Sequence, residues 1–276
     1  MHPHNAKHLS EPFFWRDARL PFIEARSVGD GRKLCYAKHS HECFSIGAIT
    51  AGQSTYLHEK SSQTVQRGTV VLMNPGDVHA CNPIADQHWS YVMLYVDVQW
   101  LRGIQHDMGL DTRLDFQPVA QTHSTCADLF NGLTELYATL IGTQTEVLDK
   151  QCAAVSFFTR MQQTLGSATQ RVEQPLDRAE RAEQYINDNF TAAISLEDIC
   201  SAANISASYL IRSFERRYHM TPHAYLVNRR IQHARTQLKS GRVIADVAQE
   251  TGFADQAHFH RAFKKHLAAT PGQYKL

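Results

Sequence analysis

The rhythm of apolar positions changes along this chain. From about Phe13 to Asp97, hydrophobic residues come in short or alternating runs, among them Phe44-Ser45-Ile46-Gly47-Ala48-Ile49, Val70-Val71-Leu72-Met73 and Tyr91-Val92-Met93-Leu94-Tyr95-Val96. The turn words Gly29-Asp30-Gly31, Ala51-Gly52-Gln53 and Asn74-Pro75-Gly76-Asp77 separate them. Many short strands at close spacing predict an antiparallel β-barrel or double-sheet jelly roll. In the last run, Tyr91, Met93 and Tyr95 share one face, opposite Val92, Leu94 and Val96. A turn-rich stretch from Asp111 to Ser124 follows, and then the spacing becomes helical. Leu129, Leu133, Leu136 and Leu140, then Val147, Ala154, Phe158, Met161 and Leu165, predict two amphipathic helices within about 125–165. Gly166 to Gln170 and the polar run up to Pro175 break the periodicity and read as a linker.

After the linker the same pattern is written twice. The first copy reads Leu196-Glu197-Asp198-Ile199 and continues through Asn204 to Leu210, Arg212, Phe214, Thr221, Pro222 and Tyr225. The second reads Ile244-Ala245-Asp246-Val247 and continues through Gly252 to Phe259, Arg261, Phe263, Thr270, Pro271 and Tyr274. Ile199 and Val247 are 48 residues apart, as are Asn204 and Gly252, while Arg212 and Arg261, and Thr221 and Thr270, are 49 apart. Each copy is a short helix, a residue that tolerates positive φ, and a longer helix, which is the plan of a helix-turn-helix. Between the copies, Val227, Ile231, Ala234 and Leu238 form the stripe of a helix that can act as a rigid spacer.

In the longer helices Leu210, Phe214 and Tyr218, and Phe259, Phe263 and Leu267, face a core by their spacing of four. The opposite faces carry Ser208, Arg212 and Arg216 in the first copy and Ala257, His258, Arg261 and Lys265 in the second. An exposed arginine can take both acceptors of guanine in a major groove, and Gln256 can pair with adenine.

The words "SLEDICSAANISASYLIRSFERRYHMTPHAYL" and "IADVAQETGFADQAHFHRAFKKHLAATPGQY" make the segment from about 178 to 276 resemble the DNA-binding domain of the AraC/XylS family of bacterial transcription regulators. The resemblance implies two helix-turn-helix units joined by a long linker helix and reading successive major grooves. Carried over by position, Ser208, Ile211 and Arg212 fall where the first reading helix meets DNA. Gln256, Ala257, His258, His260 and Arg261 fall where the second does. Ser208 departs from the bulkier or longer polar residue of some members, which leaves the first unit to lean mainly on Arg212.

Upstream, His39-Ser40-His41 followed by Gly68 to His79 is similar to the two motifs of the cupin barrel, as the family's sensor domains use it. In catalytic cupins such histidines hold a divalent metal together with a glutamate. His39, His41 and His79 are the metal candidates here, but Glu42 alternates away from them, and Cys43 and Ser45 stand where the carboxylate is expected. No metal or other cofactor is therefore assigned. Resemblance to sugar-binding members implies that Cys81, Tyr91 and Met93 line an effector pocket with His39 and His79 nearby; His41 and Tyr95 join the candidate set.

The expected fold class is α+β in two domains. Residues 1–166 form a cupin-like effector-binding and dimerisation domain, with the barrel at about 13–100; 167–175 are the linker, and 176–276 an all-α DNA-binding domain. The net charge of +1 hides an asymmetry: from Ser206 onward 12 Lys and Arg face 4 Asp and Glu, against 16 and 23 before it. Positive charge gathered at one end favours a polyanion. The 6 cysteines show no paired spacing, the amino terminus lacks a signal-peptide core, and no long apolar run is present, so a cytoplasmic protein without membrane contact is expected. The expected function is a ligand-responsive regulator, by resemblance an activator. Its expected partners are promoter DNA, a small-molecule effector, a second copy of itself and RNA polymerase. The alternatives are a metal-dependent cupin enzyme and a regulator that senses metal or oxidation through Cys43 and Cys81.

Overall fold

A computed structural model describes residues 11–110, 116–166 and 178–275; the expected linker at 167–175 lies outside them. The amino-terminal strands are β1 (Phe13–Trp15), β2 (Ile23–Val28), β3 (Phe44–His58), β4 (Ser61–Gln66), β5 (Val70–Met73), β6 (His79–Pro83), β7 (Trp89–Val96) and β8 (His123–Ser124). All pairings are antiparallel, in the order β1-β2-β7-β3-β5-β8, with β4 and β6 pairing the far half of β3. The long β3 thus belongs to two sheets, and it bends where its register against β7 shifts between Ile49 and Ala51. Gly52 makes the bend possible: its φ is +65°, and a Cβ there would lie 1.8 Å from the carbonyl oxygen of His88. The sheet does not end near residue 100 as the sequence suggests, because β8 in the turn-rich stretch pairs with β5.

Alternation sorts this sheet into two faces. Ala25, Phe44, Ile46, Val70, Leu72, Val92, Leu94 and Val96 pack against α1 (Val98–Asp107), α2 (Ala127–Ile141) and α3 (Val147–Leu165). Leu129, Leu133, Leu136, Leu140, Ala154, Phe158, Met161 and Leu165 are all buried in that core. The predicted helical stripes are therefore spent on the chain's own sheet, each large side chain contributing about 1.5–3 kcal/mol. The other face, with Tyr91 and Met93, builds a second core around Trp89.

The carboxy-terminal half is helical: α4 (Arg178–Asn189), α5 (Leu196–Ala203), α6 (Ala207–Tyr218), α7 (Pro222–Lys239), α8 (Ile244–Glu250), α9 (Gln256–Leu267) and α10 (Pro271–Lys275). Side chains start these helices where sequence places caps: Ser195 and Asp198 form a capping box on α5, and Ser206, Thr221 and Asp255 cap α6, α7 and α9. Asn204 turns left-handed between α5 and α6, and Gly252 does so between α8 and α9. Leu226 of α7 is buried with Ile199, Leu210 and Phe214 of the first copy. Ile231, Ala234 and Leu238 of the same helix are buried with Val247, Phe259, Phe263 and Tyr274 of the second.

The polar side of α7 meets the barrel. Asn228 Nδ2 donates to Ser40 Oγ at 3.1 Å, Arg229 pairs with Glu42, and Lys239 pairs with Glu24. Glu24 is 4% exposed and also pairs with Arg16, whose Nε lies 3.2 Å from Oε2 and whose Nη2 donates to Oε1 at 3.4 Å. Arg16 in turn donates to the Tyr274 carbonyl at 2.7 Å, while Phe14 sits edge-on to the Tyr274 ring at 5.2 Å. The main chain joins in, Ala37 N–H donating to the Lys265 carbonyl of α9 at 2.9 Å.

Gly252 and Asn204 hold matching places but are not interchangeable. A Cβ on Gly252, where φ is +79°, would sit 2.6 Å from the backbone oxygen of Thr191. Gly252→Ala is expected to destabilise by about 2 kcal/mol or more, and Asn204→Gly to stay within about 0.5 kcal/mol, in urea unfolding. A second prediction concerns Glu24. Burial alone would raise its carboxyl, but Lys239, Arg235 and Arg16 hold it at about 2, below the ordinary 4.5. A depressed folded value means that stability from this group is present above pH 4.5 and lost as pH falls toward 2. Glu24→Gln should therefore cost about 3 kcal/mol at pH 7. The gap from the parent protein should narrow through that acid window, read as urea midpoints at several pH values.

Candidate nucleic-acid interface and effector pocket

On α6 the buried side is Leu210, Ser213 and Phe214, which turns Ser208, Ile211, Arg212 and Arg216 outward as exposed residues. Tyr209 and Ile211 are large hydrophobic side chains left 44% and 40% exposed on that outward side. Tyr209 escapes the sequence pattern because it reads as a core aromatic. On α9 Phe259, Ala262, Phe263, His266 and Leu267 are buried, and Gln256, Ala257, Arg261, Lys264 and Lys265 are exposed. His258 is half-buried with its ring against Phe253 at 5.3 Å. His260 is also half-buried and its Nε2 is enclosed, so only part of the ring faces outward.

The cations of α7 are disposed differently. Arg230 donates to the carbonyls of Phe190 and Ala192 at 2.7 and 2.8 Å, tying α4 and its following turn to the spacer. Arg235 donates to Tyr274 Oη at 3.2 Å and Gln232 Oε1 at 2.8 Å, and its guanidinium lies 5.2 Å from the Tyr95 ring centroid. These arginines fasten the domain together, whereas Arg212, Arg216 and Arg261 stand out from it.

Inside the sheet, register builds a cavity. Tyr91, Met93 and Tyr95 of β7 lie beside Val28, Arg26 and Glu24 of β2 on one side and Ile49, Gly47 and Ser45 of β3 on the other. The cavity lining includes six of the seven expected effector residues, His39, His79, Cys81, Tyr91, Met93 and Tyr95. His41 lies behind them, its ring 4.8 Å from His79 and 5.6 Å from Tyr95. Sequence reasoning misses Arg26, Tyr36 and Trp89, which also form the wall.

His39 and His41 do not share a regular strand; His39 makes an isolated bridge to His79, with reciprocal backbone hydrogen bonds of 3.1 and 2.9 Å. One ring nitrogen from each of His39, His41 and His79 lies within 4.8 Å of the others. The Nδ1 atoms face the carbonyls of Ala37, Cys43 and Asp77 at 2.8, 3.1 and 2.9 Å, which directs the Nε2 lone pairs of His39 and His79 elsewhere, while Nε2 of His41 meets Ser45 Oγ at 3.3 Å. Burial lowers all three, His79 to about 4, so they are neutral near pH 7. Three neutral imidazoles are donors of the kind zinc accepts, but the carboxylate of a catalytic cupin is missing because Glu42 turns away to Arg229. Burial pushes the Cys81 thiol up to about 12 and raises Cys43, the reverse of what a reactive thiolate needs.

Comparison with known proteins agrees with this geometry. Residues 24–148 match the family profile described as an AraC-like ligand binding domain, and residues 199–276 match that of a helix-turn-helix domain. The HTH-type transcriptional regulator YbfI of Bacillus subtilis is 26% identical over 227 residues, covering 81% of each chain. The raffinose operon transcriptional regulatory protein RafR of Pediococcus pentosaceus is 22% identical, covering 92% of this chain and 94% of its own. The same fold is found in ToxT of Vibrio cholerae bound to an unsaturated fatty acid, with a TM-score of 0.59 and 18% identity over 92% of this chain and 95% of that one. These relatives are regulators, not enzymes, and no helix among the described residues is long and apolar enough to cross a membrane. With a ligand-binding domain ahead of a helix-turn-helix domain, the chain belongs to the AraC family of transcription regulators.

Proposed function

We propose that α6 and α9 are the two surfaces that read promoter DNA, and that the contents of the barrel cavity set how they are presented. The observation that carries this reading is the division of labour among cations. On the spacer helix α7, Arg229, Arg230, Arg235 and Lys239 are engaged by barrel carboxylates, carbonyls or Tyr274. On α6 and α9, Arg212, Arg216, Arg261, Lys264 and Lys265 project from an exposed face whose opposite side is core. With 18 residues at 1.5 Å each, α7 spans about 27 Å, which suits two reading helices about one DNA turn apart.

Control follows from the contacts between barrel and readers. Tyr95 in the cavity wall lies beneath Arg235, and Arg26 in the same wall lies 5.2 Å from the ring of Phe14, which packs on Tyr274. A ligand that binds better to one arrangement of these groups than to another shifts the readers with it. The protein acts in the cytoplasm as a homodimer and contacts RNA polymerase in this reading. The stripes expected to dimerise are buried in the chain's own core, so the dimer uses the outer side of α3, where Leu148, Cys152 and Val155 are exposed.

Duplex DNA selected from a random pool supplies the test. Arg261→Ala should lose about 1–3 kcal/mol on selected DNA and little on random DNA, because a bidentate base contact carries sequence information. Lys265→Ala should weaken both alike and lower the salt dependence by about one ion. Equal losses on both DNAs for Arg261→Ala, measured by fluorescence anisotropy, would assign that residue to phosphate instead.

A further inference from the structure

Arg26 is a buried cation whose surroundings supply no anion. It is 2% exposed and lines the cavity. Among the described residues no carboxylate forms an ion pair with it; the nearest along its own strand face, Glu24, is committed to Arg16 and Lys239. Its guanidinium carbon instead lies 5.2 Å from the ring of Phe14, 5.3 Å from Tyr36 and 5.9 Å from Tyr91. Aromatic faces return about 2 kcal/mol to a desolvated cation, less than an unpaired buried charge costs.

The hydrogen-bond partners around it are phenols, of Tyr36 and Tyr95, which carry no negative charge while protonated. Arg26 Nη2 donates to Tyr36 Oη at 2.5 Å, and Tyr36 Oη and Tyr91 Oη are 2.6 Å apart. Whichever way the bond between the phenols runs, the two hydroxyls spend one proton on each other and keep one to donate. Burial raises both phenols, so both protons stay in place. Arg26 Nε is buried and donates to nothing among the described residues. One wall of the cavity thus gathers a guanidinium edge and a phenol proton, while the neighbouring imidazoles of His39 and His79 bring no negative charge. The rest of the lining includes the apolar side chains Ile49, Val71, Met73 and Met93. A carboxylate accepts hydrogen bonds only and carries the missing charge.

We propose that the cavity takes a small organic acid, its carboxylate held by Arg26 and the Tyr36–Tyr91 pair and its apolar body lying against Ile49, Val71 and Met93. This rests on reading the cavity as the effector site and goes beyond it by fixing the charge and polarity of the ligand. Sugars, with many hydroxyls and no charge, fit this wall poorly because they leave the guanidinium unneutralised.

The test uses the full chain and an isosteric pair, phenylacetate and phenylacetamide, with galactose as a neutral polar comparison, in calorimetry and through the fluorescence of Trp89 beside the cavity. Phenylacetate should bind at least about tenfold more tightly than phenylacetamide, the cost of losing a charge-assisted hydrogen bond. Arg26→Gln should erase that preference, and Arg26→Lys should keep part of it. Tyr36→Phe leaves Arg26 in place and should weaken the acid alone, so the result does not depend on how well Arg26→Gln folds. Equal binding of acid and amide overturns the proposal, as does acid binding that Arg26→Gln and Tyr36→Phe leave unchanged. Galactose binding without phenylacetate binding overturns the carboxylate assignment while the cavity remains an effector site. Failure of all three to bind, with DNA binding intact, overturns the assignment and counts against the sensor reading too.

Discussion

Helix α7 is shared property. Its Leu226 completes the core of one helix-turn-helix, and Ile231, Ala234 and Leu238 complete the core of the other. Neither unit owns enough apolar surface to close without it, so the two readers are held at a separation set by the rise of a single helix. The remaining sides of that helix are then committed to polar contacts, because a cation that is neither exposed nor paired is expensive. Asn228, Arg229 and Lys239 find Ser40, Glu42 and Glu24 on the barrel. One constraint, that a helix buried on its apolar side must satisfy its polar side, produces both the rigidity of the tandem reader and its attachment to the sensor.

Apart from Phe14 on Tyr274, the attachment is polar, for a reason that suits regulation. A broad apolar interface would lock the two halves, whereas ion pairs and a few hydrogen bonds lose less when water replaces them. Its deepest point, Glu24, is different: the carboxylate is enclosed and serves Arg16 and Lys239 together, so it cannot be released by halves. A graded set of outer contacts around one all-or-none inner contact is the kind of joint that has two states rather than a continuum.

How much of this was legible in the sequence depends on the range of the interaction concerned. The tandem helices could be read because each is specified locally, by apolar spacing, by capping residues such as Ser195 and Thr221, and by the turn residues Asn204 and Gly252. The faces of β7 followed from alternation alone. The seat of Arg26 could not be read this way. In Ile23-Glu24-Ala25-Arg26 the polar residues alternate with apolar ones, the usual sign of a solvent face, yet Glu24 and Arg26 are buried, Arg26 in the cavity wall, while Ile23 and Ala25 enter the helical core. The contacts from Ser40 to Asn228 and from Arg16 to Tyr274 span 188 and 258 residues, and no local pattern announces a partner so far away. The helical stripes of α2 and α3 were visible, but a stripe does not name what it will cover.

Strand β2 carries Glu24 and Arg26 on one face, two residues apart. Glu24 grips the spacer of the DNA-binding half and Arg26 faces the cavity, with backbone between them that hydrogen-bonded neighbours on either side keep extended. A strand so clamped transmits displacement along its length instead of absorbing it. In the proposed reading, input at Arg26 and output at Glu24 sit on one lever some 7 Å long at about 3.4 Å per residue, short enough to carry a small tilt from one end to the other.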